Sequence, residues 1–290
     1  MEGVMMRNQD LLAVALRKSD GDITVATWPW FSLTRWSWLK KPFVRGFPVL
    51  LETLVNGIKA LHFSAEQVDV ETHSELKSWS IVLTMILAII MAFGLFVVVP
   101  HLFSMSMKAL GLSSDMGGLS FHIWDGFFKI FIFVGYIWTI GRIPGICRIL
   151  EYHGAEHKVI WAYEKQKSLD PVGARSFSRL HQHCGTTFVF FVLVISIILH
   201  AVLVPKMLQH WVPAHIMAKH VYVVAFKILL MAPTSCLVYE IIKIAGKYNK
   251  NFFCRVFFGP GMALQVLTTK EPDDGQLEVA VAALKAALAK

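Results

Sequence analysis

Two imidazoles and a carboxylate fall within five residues in His153-Gly154-Ala155-Glu156-His157. On a helix of 3.6 residues per turn, His153 and His157 are neighbours at i and i+4, and Glu156 stands three residues from His153, so the three side chains can converge. That is the geometry of a metal site. The order reverses the HExxH zinc motif and matches the HxxEH spacing of the inverted zinc peptidases, in which two histidines hold zinc and the glutamate activates water. A second group follows in His181-Gln182-His183-Cys184-Gly185-Thr186. Imidazole and thiolate are good zinc ligands, so His153, His157 and either His181 or Cys184 make a three-ligand site with a position open for water. The implied cofactor is Zn2+ or another divalent transition metal, and metal bonds of about 2 Å require the two groups to lie within roughly 8 Å of each other. Glu164, seven residues after His157 on the same helix face, is a further ligand or a carboxylate behind one. The plainer readings are an interfacial hydrogen-bonding cluster and a structural zinc site, which use the same residue types.

The elements that must position these residues are membrane helices. Hydrophobic residues make up 55% of the 290, charged residues only 17%, and the mean hydropathy is +0.54, too apolar for a soluble domain of this length. Four stretches meet the length of about 20 mostly apolar residues that a bilayer needs: Ile81 to Val99, Phe121 to Gly141, Thr187 to Val204 and Val221 to Ala245. Lys and Arg crowd the segment before the first span, the loop between the second and third, and the tail. Only Lys108 lies between spans one and two, and only Lys206 and Lys219 between spans three and four. The positive-inside rule therefore places both termini and the central loop in the cytoplasm. The net charge of +8 then suits anionic lipid head groups as a partner, and no nucleic-acid motif accompanies it. No cleaved signal is expected, because the first long apolar segment begins at Ile81 and itself serves for insertion. Cys147, Cys184, Cys236 and Cys254 read as reduced thiols.

Residues 11 to 26, with Ser19-Asp20-Gly21-Asp22 between two apolar runs, predict a small cytoplasmic hairpin. Trp28, Trp30, Trp36 and Trp38 with Lys40 and Lys41 suit a membrane interface. Residues 43 to 62 carry Glu52, Asn56 and Lys59 at i, i+4 and i+7 and predict an amphipathic interfacial helix, with a re-entrant one as the alternative. In the central loop, 142 to 186, Ile143-Pro144-Gly145 ends span two and residues 147 to 167 form the helix bearing the first motif. Gly259-Pro260-Gly261 and Glu271-Pro272-Asp273-Asp274 predict turns, and the Ala-rich end a helix. Asp125 and Lys129 near the outer end of span two form a charge pair that limits burial cost, with a proton or ion relay as the lesser alternative; Lys227 snorkels outward, Glu240 with Lys243 lies near the inner surface, and Pro233 kinks span four. His200, His210, His215 and His220 lie at or beyond the outer surface. The scarcity of paired charges and broken helices within the spans argues against a transporter.

Glu2-Gly3-Val4-Met5-Met6-Arg7, Tyr152-His153-Gly154-Ala155-Glu156-His157-Lys158, Ser178-Arg179-Leu180-His181 with Cys184-Gly185-Thr186, and Glu271-Pro272-Asp273-Asp274 resemble, in order and across nearly the whole chain, the YqhQ family of bacterial membrane proteins, a domain of unknown function. The family is described as predicted metal-dependent enzymes. By position the resemblance puts weight on Glu2, Arg7, His153, Glu156, His157, His181 and Cys184, with Glu2 and Arg7 packed under the histidines. Its members carry residues before the Glu-Gly-Val-Met-Met-Arg stretch, which implies a start upstream of Met1. They also have Pro and Arg where this chain has Gln182 and His183, so no ligand role carries over to His183.

The expected fold is an all-α polytopic membrane protein with about four transmembrane helices, an interfacial amphipathic helix and a small N-terminal β-hairpin. Residues 1–80 form the hairpin and interfacial helix, 81–245 the membrane domain with the His-rich loop 142–186, and 246–290 a cytoplasmic tail with a terminal helix. The expected function is a metal-dependent membrane enzyme, hydrolytic, in the bacterial cytoplasmic membrane. Zinc is held by His153, His157 and His181 or Cys184, Glu156 is the general base, and Glu164, Glu2 and Arg7 support them. The alternative is a non-catalytic membrane factor with a membrane-protein partner, acting in membrane-protein assembly or translocon association.

Overall fold

The structure, a computed structural model, describes residues 3–72, 78–182, 184–247 and 252–289. It is predominantly helical, with one small sheet at the N-terminus.

Strands β1 (Gly3–Asn8), β2 (Leu11–Arg17) and β3 (Ile23–Pro29) form an antiparallel meander, with Met5 opposite Val14 and Val14 opposite Ala26. The expected hairpin is thus β2 and β3. The first strand was not anticipated, because its pairing depends on the tight reversal at Gln9-Asp10, where Gln9 adopts φ 51°. Side chains alternate across a strand, and β2 is covered on both faces. Ala13 and Ala15 pack in one core with Tyr152, Ala155 and Val159, while Leu12, Val14 and Leu16 pack in another with Trp30 and Ala60.

Helix α1 (Gly46–Thr72) supplies Ala60 to that second core. Of its polar stripe only Lys59 is exposed as expected. Glu52 and Asn56 are fully buried: the Glu52 carboxylate accepts from Trp30 Nε1 at 3.2 Å, Ser32 Oγ at 3.0 Å and the Thr34 amide at 2.6 Å. Asn56 receives the Phe31 amide at 3.0 Å and donates to the Phe31 carbonyl at 2.9 Å. The stripe is a bracket for loop 30–34. Burial pushes the Glu52 carboxyl upward, and these hydrogen bonds outweigh it, holding the group below its ordinary range.

Among the described residues, four helical stretches are long and apolar enough to cross a membrane: Leu83–Ala109, Leu119–Ile140, Gly185–His210 and Ile216–Gly246. Met91, Phe131, Val221 and Leu229 stand exposed on them, a surface suited to lipid. The first comprises α2 (Ser78–Phe93), a π-helical turn at Gly94–Val98 and α3 (Val99–Ala109), in which Pro100 occupies the first turn, where a missing N–H is tolerated. The second is α4 (Leu119–Ile140). Next come α5 (Pro144–Glu164) and the short α6 (Pro171–Arg175) in the central loop. The third span is α7 (Gly185–His210), which runs past Val204 through Pro205. The fourth is broken at Leu230 into α8 (Ile216–Leu229) and α9 (Met231–Lys247). Pro233 explains the break, since it has no N–H for the Leu229 carbonyl.

The C-terminal segment is not a free tail. Helix α10 (Phe252–Thr268) runs straight through Gly259-Pro260-Gly261, where a turn was expected, and packs along α7. A Cβ on Gly261 would lie 2.8 Å from Thr187 Cγ2, so this glycine serves close helix approach. Helix α11 (Asp274–Leu288) then covers the sheet and α5.

Candidate metal centre

Helix α5 is divided by face. Tyr152, Ala155, Val159 and Ala162 are buried against Val4 and Met6 of β1 and Leu277, Val281 and Leu284 of α11. The opposite face carries His153, His157, Trp161 and Glu164, which meet segment 179–186 and the end of α10. Between the histidines, Gly154 has a backbone role: a Cβ there would stand 2.0 Å from the Lys270 carbonyl oxygen, and the Lys270 amide donates to the Leu150 carbonyl at 2.9 Å. The glycine lets the chain leaving α10 cross directly over the motif.

His153 Nδ1 lies 2.7 Å from the Thr268 carbonyl oxygen and His157 Nδ1 lies 2.6 Å from that of Arg179. A carbonyl only accepts, so both Nδ1 atoms carry hydrogen, and in the neutral form of each ring Nε2 is left to present a lone pair. His153 Nε2 is 3.2 Å from Cys184 Sγ, and the two rings have centroids 4.5 Å apart. One donor atom each from His153, His157 and Cys184 lies within 4.8 Å of the others. Cys184 sits at the N-terminal cap of α7, with Sγ 2.7 Å from Thr186 Oγ1. Two nitrogens and one sulfur so placed fit a zinc ion, and the carbonyls behind the imidazoles fix their orientation as metal-ligating histidines require.

Of the two candidates for third ligand, the structure brings Cys184 into the set and not His181. The His181 side chain is buried at the edge of the group, its Nε2 3.3 Å from Glu164 Oε2 and its ring 5.8 Å from that of His157 and 4.7 Å from that of Trp161. Glu164 therefore touches His181, not the converging donors. Glu156 is half-buried and outside the set, and no hydrogen bond among the described residues reaches its carboxylate. Burial pushes its carboxyl above the usual range, and the charge of His153 opposes this only in part. Arg7 does not support the site. It lies on the far face of the sheet, with its guanidinium 4.0 Å over the Trp30 ring and its Nε donating to the Gln9 carbonyl at 2.9 Å. Strand alternation sends Val4 and Met6 toward α5 and Arg7 away. Glu2 and His183 lie outside the described residues.

The sequence reading missed α10. Gln265, wholly buried, donates through Nε2 to the His181 carbonyl at 2.8 Å and Thr187 Oγ1 at 3.0 Å, and accepts the His181 amide through Oε1 at 2.8 Å. The Arg179 guanidinium donates to the Thr269 carbonyl. A lone amide in the apolar run 256–267 was a signal of this bracket; the backbone oxygens of Arg179 and Thr268 carry no signal in any sequence. The acidic motif after α10 is also structural: Glu271 pairs with buried Lys158, Asp273 caps α11 and Asp274 pairs with Arg175.

A family model described as "Protein of unknown function (DUF1385)" matches residues 41–290. The chain belongs to this family. The DUF1385 match takes in every converging donor and the α10 bracket. "Uncharacterized protein YqhQ" of Bacillus subtilis (strain 168) is 28% identical over 296 residues, covering 97% of this chain and 88% of that protein. No solved structure matches the chain.

Proposed function

We propose that the protein is a metal-dependent membrane enzyme, a hydrolase with its site at the cytoplasmic surface of the bacterial cytoplasmic membrane. The convergence of one ring nitrogen each from His153 and His157 with Cys184 Sγ supports it above all, because both imidazoles are held from behind through Nδ1, which leaves Nε2 for ligation. Three protein donors converge among the described residues, the number that catalytic zinc sites use while keeping a position open for water. Bound there, the ion would supply a Lewis acid that polarises a carbonyl or phosphoryl oxygen. Glu156, on the same helix turn, is the base in this reading and takes a proton from the attacking water onto a carboxylate oxygen. The buried His181 ring, tied to Glu164, walls the site. The excess of Lys and Arg before span one, in loop 142–186 and in the tail supports a cytoplasmic placement of both termini and contact with anionic head groups.

Metal analysis of detergent-purified protein tests this. We expect a stoichiometric transition metal, lost in His157→Ala and in Cys184→Ser and kept in Glu164→Gln. Less than about one-tenth of an equivalent in the wild type, unchanged by His157→Ala, would refute it. Capture of one stable membrane-protein partner by both the wild type and His153→Ala, with no metal in either, favours the assembly-factor reading instead.

A further inference from the structure

The membrane helices hold a second polar constellation, unconnected with the metal reading. Asp125 and Lys129 of α4 and Lys227 of α8 meet inside the bundle: Lys129 Nζ is 2.7 Å from Asp125 Oδ2 and Lys227 Nζ is 2.9 Å from Asp125 Oδ1. All three are at most 2% exposed. Lys129 is ten residues from one end of α4 and eleven from the other, so the cluster lies at mid-span. It is also sixteen residues, about 24 Å along α7, from Cys184, counted at the neighbouring His200.

Histidines extend the cluster in both directions. His200 Nδ1 of α7 is 3.2 Å from Lys129 Nζ. On the other side His101 of α3 bridges: its Nδ1 is 3.4 Å from Lys227 Nζ and its Nε2 is 2.9 Å from His220 Nδ1. His101 and His200 are buried, whereas His220, near the start of α8, is half-buried. Beside His220, Lys219 pairs at 2.8 Å with Asp115, which also holds Lys108 at 2.7 Å, in the loop joining spans one and two. His122 packs next to the cluster on α4, with Nε2 3.0 Å from the Met116 carbonyl oxygen. A line of close contacts thus runs from that end of the spans to their middle.

A structural staple would pair one cation with one anion. Here two amino groups share one carboxylate, so the cluster carries +1 with both protonated and zero after one proton leaves; uncompensated charge in hydrocarbon is costly. The helix irregularities bracket the same level. The π-turn at Gly94–Val98 ends three residues before His101, and the break at Leu230 follows Lys227 by three. Both kinds of irregularity concentrate at functional sites in membrane helices.

We propose that Asp125, Lys129 and Lys227 form a proton-exchange site in the membrane domain, loaded and unloaded through His101 and His220 from the Ile216 end of α8. Loading takes a proton from a hydronium ion in the solvent onto His220 Nε2, leaving water. His220 passes its Nδ1 proton to His101 Nε2, and His101 passes its Nδ1 proton to a lysine amine, which becomes an ammonium paired with Asp125. One proton enters, one bond forms and one breaks at each ring, and no electron is transferred. Unloading reverses the steps.

The test is 15N NMR of lysine side chains in the full-length protein in lipid nanodiscs, titrated from about pH 5 to about pH 9. Lys227→Met, which removes one of the two cations, assigns the signal. We expect one Nζ of the pair to change between ammonium and amine within this range; both lysines held in one protonation state throughout would overturn the proposal. His220→Gln, at the half-buried mouth, should slow exchange of that Nζ with D2O several-fold without moving its midpoint, and an unchanged rate would overturn the route through His220. The wild-type titration decides the central claim even if a variant fails to fold.

Discussion

At the scale of single residues, Gly154 illustrates how a motif can mix chemistry with packing. His153 and His157 supply lone pairs, while the glycine between them admits the Lys270 carbonyl at a distance no Cβ tolerates. Gly154→Ala should therefore displace segment 269–271 and with it the Thr268 carbonyl that orients His153. The expected loss is about 1–3 kcal/mol, as for overpacked sites, read as a lower melting temperature, with weaker metal retention alongside. Glu52 makes a prediction in pH. Its folded-state carboxyl titrates below the ordinary value of 4.5, so the unfolded chain binds the proton more readily. Its contribution to stability is complete above that value and is lost as pH falls below it and through the lower folded-state value. Thermal melts of Glu52→Gln should show a lower melting temperature than wild type near neutrality and a smaller decline on acidification; parallel curves would contradict this.

At the scale of elements, the C-terminal helices define the site as much as the motif helix does. Helix α10 provides Gln265 and the Thr268 and Thr269 carbonyls, and α11 clamps α5 against the sheet. The α11 cap is a reciprocal one, in which Asp273 accepts the Gln276 amide at 2.7 Å and Gln276 Oε1 accepts the Asp273 amide at 2.9 Å. Asp273→Ala should cost about 0.5–2 kcal/mol. Limited proteolysis reads the outcome: the variant should release the segment after Thr269 sooner than wild type does. Much of this was legible locally. The i,i+4 histidines, the turn at Glu271-Pro272-Asp273-Asp274 before the Ala-rich helix and the irregularity at Pro233 follow from spacing, turn residues and the missing proline N–H. The continuity of α10 was not, since Gly-Pro-Gly reads as a turn until Thr187 is placed against Gly261, and packing along α7 overrides the local preference.

At the scale of the whole molecule, apolar helices separate two polar centres that lie about 24 Å apart along α7. One gathers at the start of α7 and the other at mid-span. His200 and Lys227, expected at the outer surface and snorkelling, instead belong to the buried centre. The scarcity of paired charges and broken helices that was expected to argue against a transporter does not hold, because Asp125 meets two lysines, span one contains a π-turn and span four is interrupted at Leu230. For orientation, reporter fusions after residue 167 and at the C-terminus should report the cytoplasm, and fusions in 110–118 and 211–215 the opposite side. The reverse pattern would move the candidate metal centre to the outer face and remove the support that Lys and Arg lend to the proposed site.

Composition and periodicity alone pointed to four stretches long and apolar enough to span a bilayer, a small N-terminal hairpin, and a helix presenting His153 and His157 side by side. Those are local properties, set by how many apolar residues run together and by 3.6 residues per turn. Only the tertiary structure decided that Cys184 and not His181 joins the histidines, that Arg7 points away, and that Asp125 meets two lysines. Each of these depends on which distant segment closes onto which face. A choice of that kind rests on packing and hydrogen bonding between elements such as Gly261 with Thr187 and Gln265 with His181, which spacing along the chain does not encode.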